Sequence, residues 1–278
     1  MNMKKYRSVM KAYLRGSLMN LMEYKFNFIA GGTFELVWTA MYVLFIDVVF
    51  THTETINGWN RYQTLMLTFQ GGLMDSAFTF LIVPGLRRLP EIVNTGSLDF
   101  ILLKPINKRF NISFHEFDVP QVKNILLNAA GIAYCLARLE TPLTPAGAVT
   151  YVLLSLNGFL LIYSIMYLLM SLSFWVMRMD IVMGIGSELI TAGNKPMTIY
   201  PSLVRKFLIF AVPLLVCFNF PILSVVKGLS LPLTIYSFAS SLVFFCLSDF
   251  VFERGLRRYA SAGRAIDACV SFDSRFEV

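Results

Sequence analysis

Apolar runs of about twenty residues recur along this chain and leave it few ways to fold. The hydrocarbon layer of a bilayer is about 30 Å thick, and a helix needs about 20 residues to cross it. Five runs reach that length: Phe26–Phe50, Tyr62–Val83, Ala148–Val176, Phe207–Val226 and Pro232–Phe252. A sixth run, Asn124–Ala137, is short and reaches it only if extended through Val119–Val122 or Leu139. The runs predict an all-α integral membrane protein with six transmembrane helices.

The composition agrees with a membrane protein and argues against a soluble domain. Hydrophobic residues make up 56% of the 278 residues and charged residues 15%, whereas soluble domains have about 45–50% and about 25%. The cysteines and histidines show no CxxC pair and no metal-ligand spacing, so we expect no disulfide framework and no metal site.

The basic residues sort to one side of the predicted spans. All of the 24 lysines and arginines except Arg61, Arg138 and Lys227 fall on the side of the two termini. Cytoplasmic loops of membrane proteins carry such an excess of positive charge. We therefore expect both ends in the cytoplasm, and we interpret the net charge of +7 as a topology signal rather than a sign of nucleic-acid binding.

The six spans define one transmembrane domain over residues 1–278, with three cytoplasmic segments. Residues 1–24 alternate apolar and basic positions at helical spacing, which favours an amphipathic helix at the inner interface; a solvated basic tail is the alternative. Residues 84–123 form the largest cytoplasmic loop, and residues 253–278 form a cytoplasmic tail.

The sequence contains no motif of an enzyme. It has no GxxxxGK[ST] phosphate loop, no HExxH and no Ser/His/Asp arrangement, so it is predicted to hydrolyse no ATP by itself. Transport, anchoring and assembly remain as function classes.

Acidic residues inside apolar runs are costly and often line a pathway. Glu35 in the first span and Asp75 in the second are the deepest, and they are candidates for a polar cavity, for a subunit contact, or for neutral hydrogen-bonded groups. Asp47 and Asp249 lie near span ends, where a boundary role is the simpler interpretation. The pair Gly71-Gly72 favours close helix packing, with a dimer contact as the alternative.

The loop after the second span has the most distinctive local sequence. It reads Gly96-x-Leu98-Asp99-Phe100, followed by Leu102-Leu103-Lys104-Pro105. This loop resembles that of the ABC type-2 permeases, the membrane subunits of ATP-binding-cassette exporters. Three further segments resemble the same family: Ile199-Tyr200-Pro201 before a basic pair, Pro213 with Phe220-Pro221, and Phe252 to Tyr259 around Gly255-Leu256.

The resemblance implies a permease subunit of an exporter, which forms half of a translocation pathway. It implies a coupling helix that contacts the ATPase through Arg87, Arg88, Gly96, Leu98, Asp99, Phe100, Leu103, Lys104 and Pro105. It also implies a broken hairpin near the outer face at Pro213, Phe220 and Pro221.

The partners implied are an ABC ATPase dimer, which binds the ATP, and a second permease, identical or related, in the plasma membrane. No cofactor is expected on this chain.

The sequence departs from the family in its short third span and in the polar stretch from Arg178 to Pro201, where Ile181–Ile190 is a candidate for an extra, partly inserted helix. A membrane anchor or assembly subunit without a pathway stays as the alternative function. A transporter driven by ions through Glu35 and Asp75 would be expected to show inverted repeats, and we find none.

Overall fold

A computed structural model of the chain describes residues 3–23, 25–56, 58–139, 144–176 and 179–273; within these ranges, the side chains of residues 22–35, 179–183, 187 and 260–273 are left undescribed. The described ranges form twelve α-helices and three short 3-10 helices. The α-helices are α1 Met3–Glu23, α2 Lys25–His52, α3 Arg61–Leu81, α4 Val83–Asn94, α5 Leu98–Leu102, α6 Lys108–Ser113, α7 Val122–Ala137, α8 Pro145–Ser171, α9 Met179–Gly193, α10 Ser202–Phe210, α11 Leu214–Val226 and α12 Leu231–Asp273.

Helix α8 forms the centre of the bundle and packs against α12, α11 and α9. Its inward face is fully buried at Leu161 and Tyr167. Gly158 lets the backbone of α11 come close, because a Cβ at this position would meet the backbone of Cys217. On the other side of the bundle, α3 packs along α7. The apolar sequence and the buried inward face of α8 agree with the predicted membrane protein.

Length and composition allow two of the described helical segments to cross a membrane, Pro145–Phe174 and Leu231–Tyr259. The number rises to four if each of two bent pairs counts as one span: α3 with α4, bent by 48°, and α10 with α11, bent by 95°. The prediction of an all-α membrane protein is confirmed at this level.

The predicted fifth span, Phe207–Val226, is wrong as a single helix. The chain breaks after Phe210 and resumes at Leu214, so α10 and α11 meet almost at a right angle. Pro213 lies at the break, where its missing N–H and fixed φ oppose a continuous helix. Helix α11 alone, with 13 residues, is about 20 Å long, too short to cross the hydrocarbon layer.

Helix α9 occupies the stretch where only an additional, partly inserted helix was considered. It runs along α8: a Cβ at Gly186 would meet Met166, and a Cβ at Gly193 would meet Phe218 of α11. Asn219 joins the two helices, since its Nδ2 donates to the Gly193 carbonyl at 3.2 Å. Helices α9 and α11 therefore follow one another along α8.

Contacts between loops define two ends of the bundle. At one end, the Lys227 ammonium donates to the Gly58 carbonyl at 2.9 Å, and Arg61 pairs with Asp47 at 2.7 Å. This ion pair shows how the charge of Asp47 is met.

At the other end, α1 is attached to the long loop before α7. The Tyr13 hydroxyl donates to Asn111 at 2.6 Å, and the Ser17 hydroxyl accepts from the Phe117 amide at 2.9 Å. Helix α12 also reaches this end, because the segment predicted as a tail continues α12 as helix to Asp273. Helix α1, the long loop and α12 at Tyr259, whose hydroxyl contacts the Gly96 carbonyl, thus meet at one end of the described structure.

Candidate functional site

A cavity of about 600 Å³ opens between α2, α3, α7, α8 and α9. Its wall combines aromatic rings with amides and hydroxyls. The aromatic residues are Trp38, Tyr42, Phe69 and Phe78; the polar ones include Thr39, Thr68, Asp75, Ser76, Thr79, Arg87, Asn124, Asn128, Thr191 and Asn194. Such a wall of apolar surface with a few convergent polar groups is typical of a small-molecule site.

Two asparagines reach the cavity because α3 carries glycines opposite them. The amide of Asn194 lies against Gly71, and the amide of Asn128 lies against Gly72. The Asn128 amide also donates to the Asn124 carbonyl at 2.8 Å, whereas the Asn194 Oδ1 is buried without a hydrogen-bond partner in the described structure. An unsatisfied buried acceptor costs free energy, and here this oxygen packs directly against Gly71 of α3.

Of the two predicted pathway acids, Asp75 lines this cavity with an exposed side chain. It lies one helical turn from Gly71 and Gly72 on α3, so it shares the cavity with both asparagines. The side chain of Glu35 lies outside the described residues.

A second cavity of about 510 Å³ lies beside the first, between α1, α4 and the loop before α7. Three residues, Thr79, Val83 and Arg87, line both cavities. The second cavity is the more charged of the two, with Arg88, Glu91, Glu116 and Asp118 in its wall. Arg87 therefore lies at the junction of the two cavities, and the contact with the ATPase that the family resemblance implies for it stays a prediction.

The loop motif forms a short helix that is anchored on one side and bare on the other. Leu98 and Ile101 of α5 are 0% and 7% exposed, whereas Phe100 and Leu103 are 72% and 80% exposed. Gly96 has φ of +76°, a left-handed conformation that glycine adopts without strain. This glycine turns the chain from α4 into α5 and so presents the bare face.

The other residues of the predicted coupling set divide in the same way. Asp99, Lys104 and Pro105 are exposed around Phe100, and Arg88 is held at the loop surface by His115, with 3.1 Å between Arg88 Nη1 and His115 Nδ1. Leu98 is an anchor and does not belong to the exposed surface.

His115 is suited to this contact because it is neutral. Burial lowers its pKa, and the positive charges of Arg88 and Lys104 lower the pKa further. A neutral imidazole ring accepts a hydrogen bond at one nitrogen, which matches the Arg88 donor. The ring also stacks on Tyr13 of α1, with 4.9 Å between the centroids.

The predicted outer hairpin is divided between the bend and the core. Pro213 lies in the bend between α10 and α11, while Phe220 and Pro221 are buried within α11. This segment ends at Val226, next to Lys227, which contacts Gly58.

The sequence alone did not single out Arg109, although its guanidinium is the most highly connected charged group in the described structure. It lies on α6, only 8% exposed, and pairs with Asp249 of α12 at 3.5 Å. Asp249 was expected at a boundary, and this pair explains how its charge is met. No signal in the sequence links Arg109 with Asp249, because the two residues are 140 positions apart and only the fold brings them together.

Among the described residues, no group of three potential ligands is arranged to hold a metal ion.

Comparison with known proteins identifies the family. No curated protein and no solved structure matches the chain. The family model described as "ABC-2 family transporter protein" matches residues 36–263. This range is well over half of the chain and includes the cavity, α5 and most of α12. This match confirms the resemblance seen in the loop motif: the chain belongs to the ABC-2 family of transporter proteins.

Proposed function

We propose that this chain is the permease subunit of an ABC exporter, that it forms half of the translocation pathway, and that it is driven by a separate ATPase dimer. One observation carries the proposal: the side chains of Phe100 and Leu103 at α5 are mostly exposed on the surface of the chain, while the buried Leu98 anchors the helix. Large apolar side chains exposed on an anchored helix mark a protein contact, and family membership supports an ATPase as the partner.

The proposed topology has six crossings, with both termini in the cytoplasm of a cell that carries the protein in its plasma membrane. The crossings are α2, α3, α7, α8, α9 and α12. The proposed fifth crossing consists of α9, about 22 Å of helix, together with the short stretch that leads to α10. It replaces the predicted span Phe207–Val226, because α9 runs along α8 from the inner end while α10 and α11 continue at the outer end. At 1.5 Å per residue, the 43 residues of α12 extend about 65 Å, so its last part projects into the cytoplasm.

The proposed pathway is the cavity that Asp75 lines. Its mixture of rings, amides and one carboxylate suits an amphipathic substrate with hydrogen-bonding groups. The neighbouring cavity at Arg87 provides an approach from the inner end. A second permease, identical or related, supplies the other half of the pathway.

In the proposed mechanism, ATP-driven closure of the ATPase dimer moves α5 and shifts the cavity from inward to outward opening. A ligand shifts such an equilibrium only if it binds one state more tightly than the other. The ATP-bound dimer must therefore fit α5 better in the outward state.

The test changes the bare face of α5 and leaves its anchor intact. The double change Phe100→Ser with Leu103→Ser removes two large apolar side chains that are mostly exposed, so the permease is expected to fold normally. We expect the ATPase to be lost from the purified complex. The matched control is Leu203→Ser on α10, which is 81% exposed and lies away from α5. An ATPase that still copurifies with the double variant, at normal yield, would show that α5 is not the docking site. A membrane anchor without a pathway would keep the ATPase but show no transport.

A further inference from the structure

Helix α12 holds the loop that carries α5 at two separate points. The first is Tyr259, whose hydroxyl donates to the Gly96 carbonyl at 2.9 Å and also interacts with the Asp99 carboxylate. Gly96 is the residue that turns the chain into α5. Tyr259 therefore fixes the start of α5 from the inner part of α12.

The second point is Arg109, on α6 just after α5. Its Nη2 donates to the Ser248 hydroxyl at 2.9 Å and its Nη1 to the Phe245 carbonyl at 3.4 Å, both on α12. Its Nε donates to the Tyr163 hydroxyl of α8 at 2.9 Å. The guanidinium thus joins three helices through directed hydrogen bonds, a geometry that lysine cannot reproduce.

Aromatic rings surround this guanidinium and exclude water from it. Its carbon lies 4.0 Å from the ring centroid of Phe245, 4.3 Å from that of Tyr167 and 4.8 Å from that of Tyr163. Cation–π attraction and hydrogen bonding both gain strength when water is absent. We therefore expect the contacts of Arg109 to persist when the loop moves, so that α8 and α12 move with it.

The inner ends of α8 and α12 are also packed tightly together. Phe252 packs against Tyr167 and Phe174 with tilted or edge-on rings, 5.1 and 5.7 Å between centroids. Gly255 leaves no room for a Cβ, which would overlap the Phe174 ring. The loop, α12 and the end of α8 therefore form one rigid unit.

This unit reaches the cavity through α8 and not through α12. Met166 and Met170 of α8 line the cavity, and they lie within one turn of Tyr163 and Tyr167, which hold Arg109. No described residue of α12 lines the cavity.

We propose that Arg109 and Tyr259 are positioning residues that fasten the coupling helix α5 to α12 and α8, so that movement of the ATPase reaches the cavity at Met166 and Met170. The inference rests on the proposed function, because it assumes that an ATPase acts on α5.

The test needs no knowledge of the substrate. The permease, co-expressed and purified with its ATPase, carries Thr79→Cys as a reporter on the cavity wall, with Cys246→Ser and Cys269→Ser so that the reporter is the thiol that is labelled. The rate at which a water-soluble maleimide labels the reporter is measured without nucleotide and with ATP plus vanadate. This nucleotide-dependent change in rate is then compared among Tyr259→Phe, Arg109→Gln and Tyr236→Phe.

Tyr236→Phe is the matched control. Tyr236 also lies on α12 and also donates to a backbone carbonyl, that of Ile209 at 2.7 Å, but it does not touch the loop. We expect Tyr259→Phe to reduce the nucleotide-dependent change about three- to tenfold, the factor that one neutral hydrogen bond is worth. We expect Arg109→Gln to abolish it, and Tyr236→Phe to leave it unchanged, with the ATPase bound in all three.

Two results overturn the inference, and they are distinguishable. If the unmodified complex responds to nucleotide and Tyr259→Phe responds equally, α5 acts on the cavity by another route while the proposed function stands. If the unmodified complex itself shows no response, the proposed function fails and the inference fails with it. Since Tyr259→Phe removes only a surface-accessible hydroxyl, it tests the inference even if Arg109→Gln does not fold.

Discussion

Single glycines on α3 decide whether polar side chains reach the cavity. Gly71 and Gly72 are consecutive, so they lie about 100° apart around the helix, and each faces a different asparagine: Asn194 after α9 and Asn128 on α7. Any larger residue would displace one amide from the cavity wall. The two glycines therefore serve the lining of the site as well as the approach of helices.

We predict that Gly71→Ala destabilises the protein, because the new methyl group overlaps the Asn194 amide. Overpacking of this kind costs about 1–3 kcal/mol in the free energy of unfolding, measurable as a lower Tm of the purified protein in detergent. Adding Asn194→Ala should restore most of the loss. In Gly16→Ala on α1, no atom lies within 4 Å of the added methyl group, and this change should be neutral or stabilising by up to about 1 kcal/mol. Equal Tm values for the two alanine variants would contradict the overlap at Gly71.

The sequence predicted part of this site and missed the rest for a physical reason. Asp75 and the glycine pair stand out because a charge or two glycines are unusual inside an apolar run. Asn194 and Arg109 lie in polar stretches, where such residues are ordinary, and only the fold brings them to the cavity or to α12. Leu98 was assigned to the contact surface because a motif gives the order of residues and not the face of the helix on which each lies.

At the scale of helices, α8 and α12 are held together by directed polar contacts as well as by packing. The Asn157 amide donates to the Ser237 hydroxyl at 2.8 Å and to its carbonyl at 3.0 Å. Lipid competes poorly for such groups, so hydrogen bonds between helices add to packing in a membrane.

We predict that Asn157→Ala weakens the pairing of α8 with α12. The expected loss in the free energy of unfolding is about 0.6–1.7 kcal/mol, the range of hydrogen bonds between transmembrane helices. Resistance to unfolding by SDS in mixed micelles measures it. Leu156→Ala is the control, because Leu156 is 64% exposed and faces away from α12. A loss no larger than that of the control would mean that packing alone holds the pair.

Helix lengths explain which elements the sequence predicted well. The runs that became α2, α3, α7, α8 and the first part of α12 agree with the structure to within a few residues, except at the inner end of α8, because a long apolar run has no other stable state in lipid. The run Phe207–Val226 is as apolar as these runs, but Pro213 interrupts its helix and Asn219 hydrogen-bonds to the Gly193 carbonyl at the end of α9. Hydropathy detects neither effect. Helix α9 escaped a firm prediction because its 15 residues fall short of a full span and are flanked by polar residues.

At the scale of the whole molecule, the proposed topology replaces the predicted fifth span by α9, and this replacement changes which charges are expected outside. The positive charge count placed Lys195, Arg205 and Lys206 in the cytoplasm. In the structure they follow α9, whose end contacts Gly71 in the middle of α3, and α10 lies beside Tyr236 near the outer start of α12. About 7.5 Å of helix separates Tyr236 from Leu231, so the three cations are within reach of the outer interface, where long basic side chains extend towards water.

We predict that a cysteine at the start of α10 is labelled from outside the cell. The variant is Ser202→Cys, in a background where Cys246 and Cys269 are serine, and a membrane-impermeant maleimide is applied to intact cells and to inverted vesicles. Glu54→Cys, at the end that holds Asp47 and Arg61, should label in cells, whereas Lys104→Cys beside α5 should label only in inverted vesicles. Labelling of Ser202→Cys in inverted vesicles alone would restore the continuous span Phe207–Val226. It would also remove α9 from the proposed crossings.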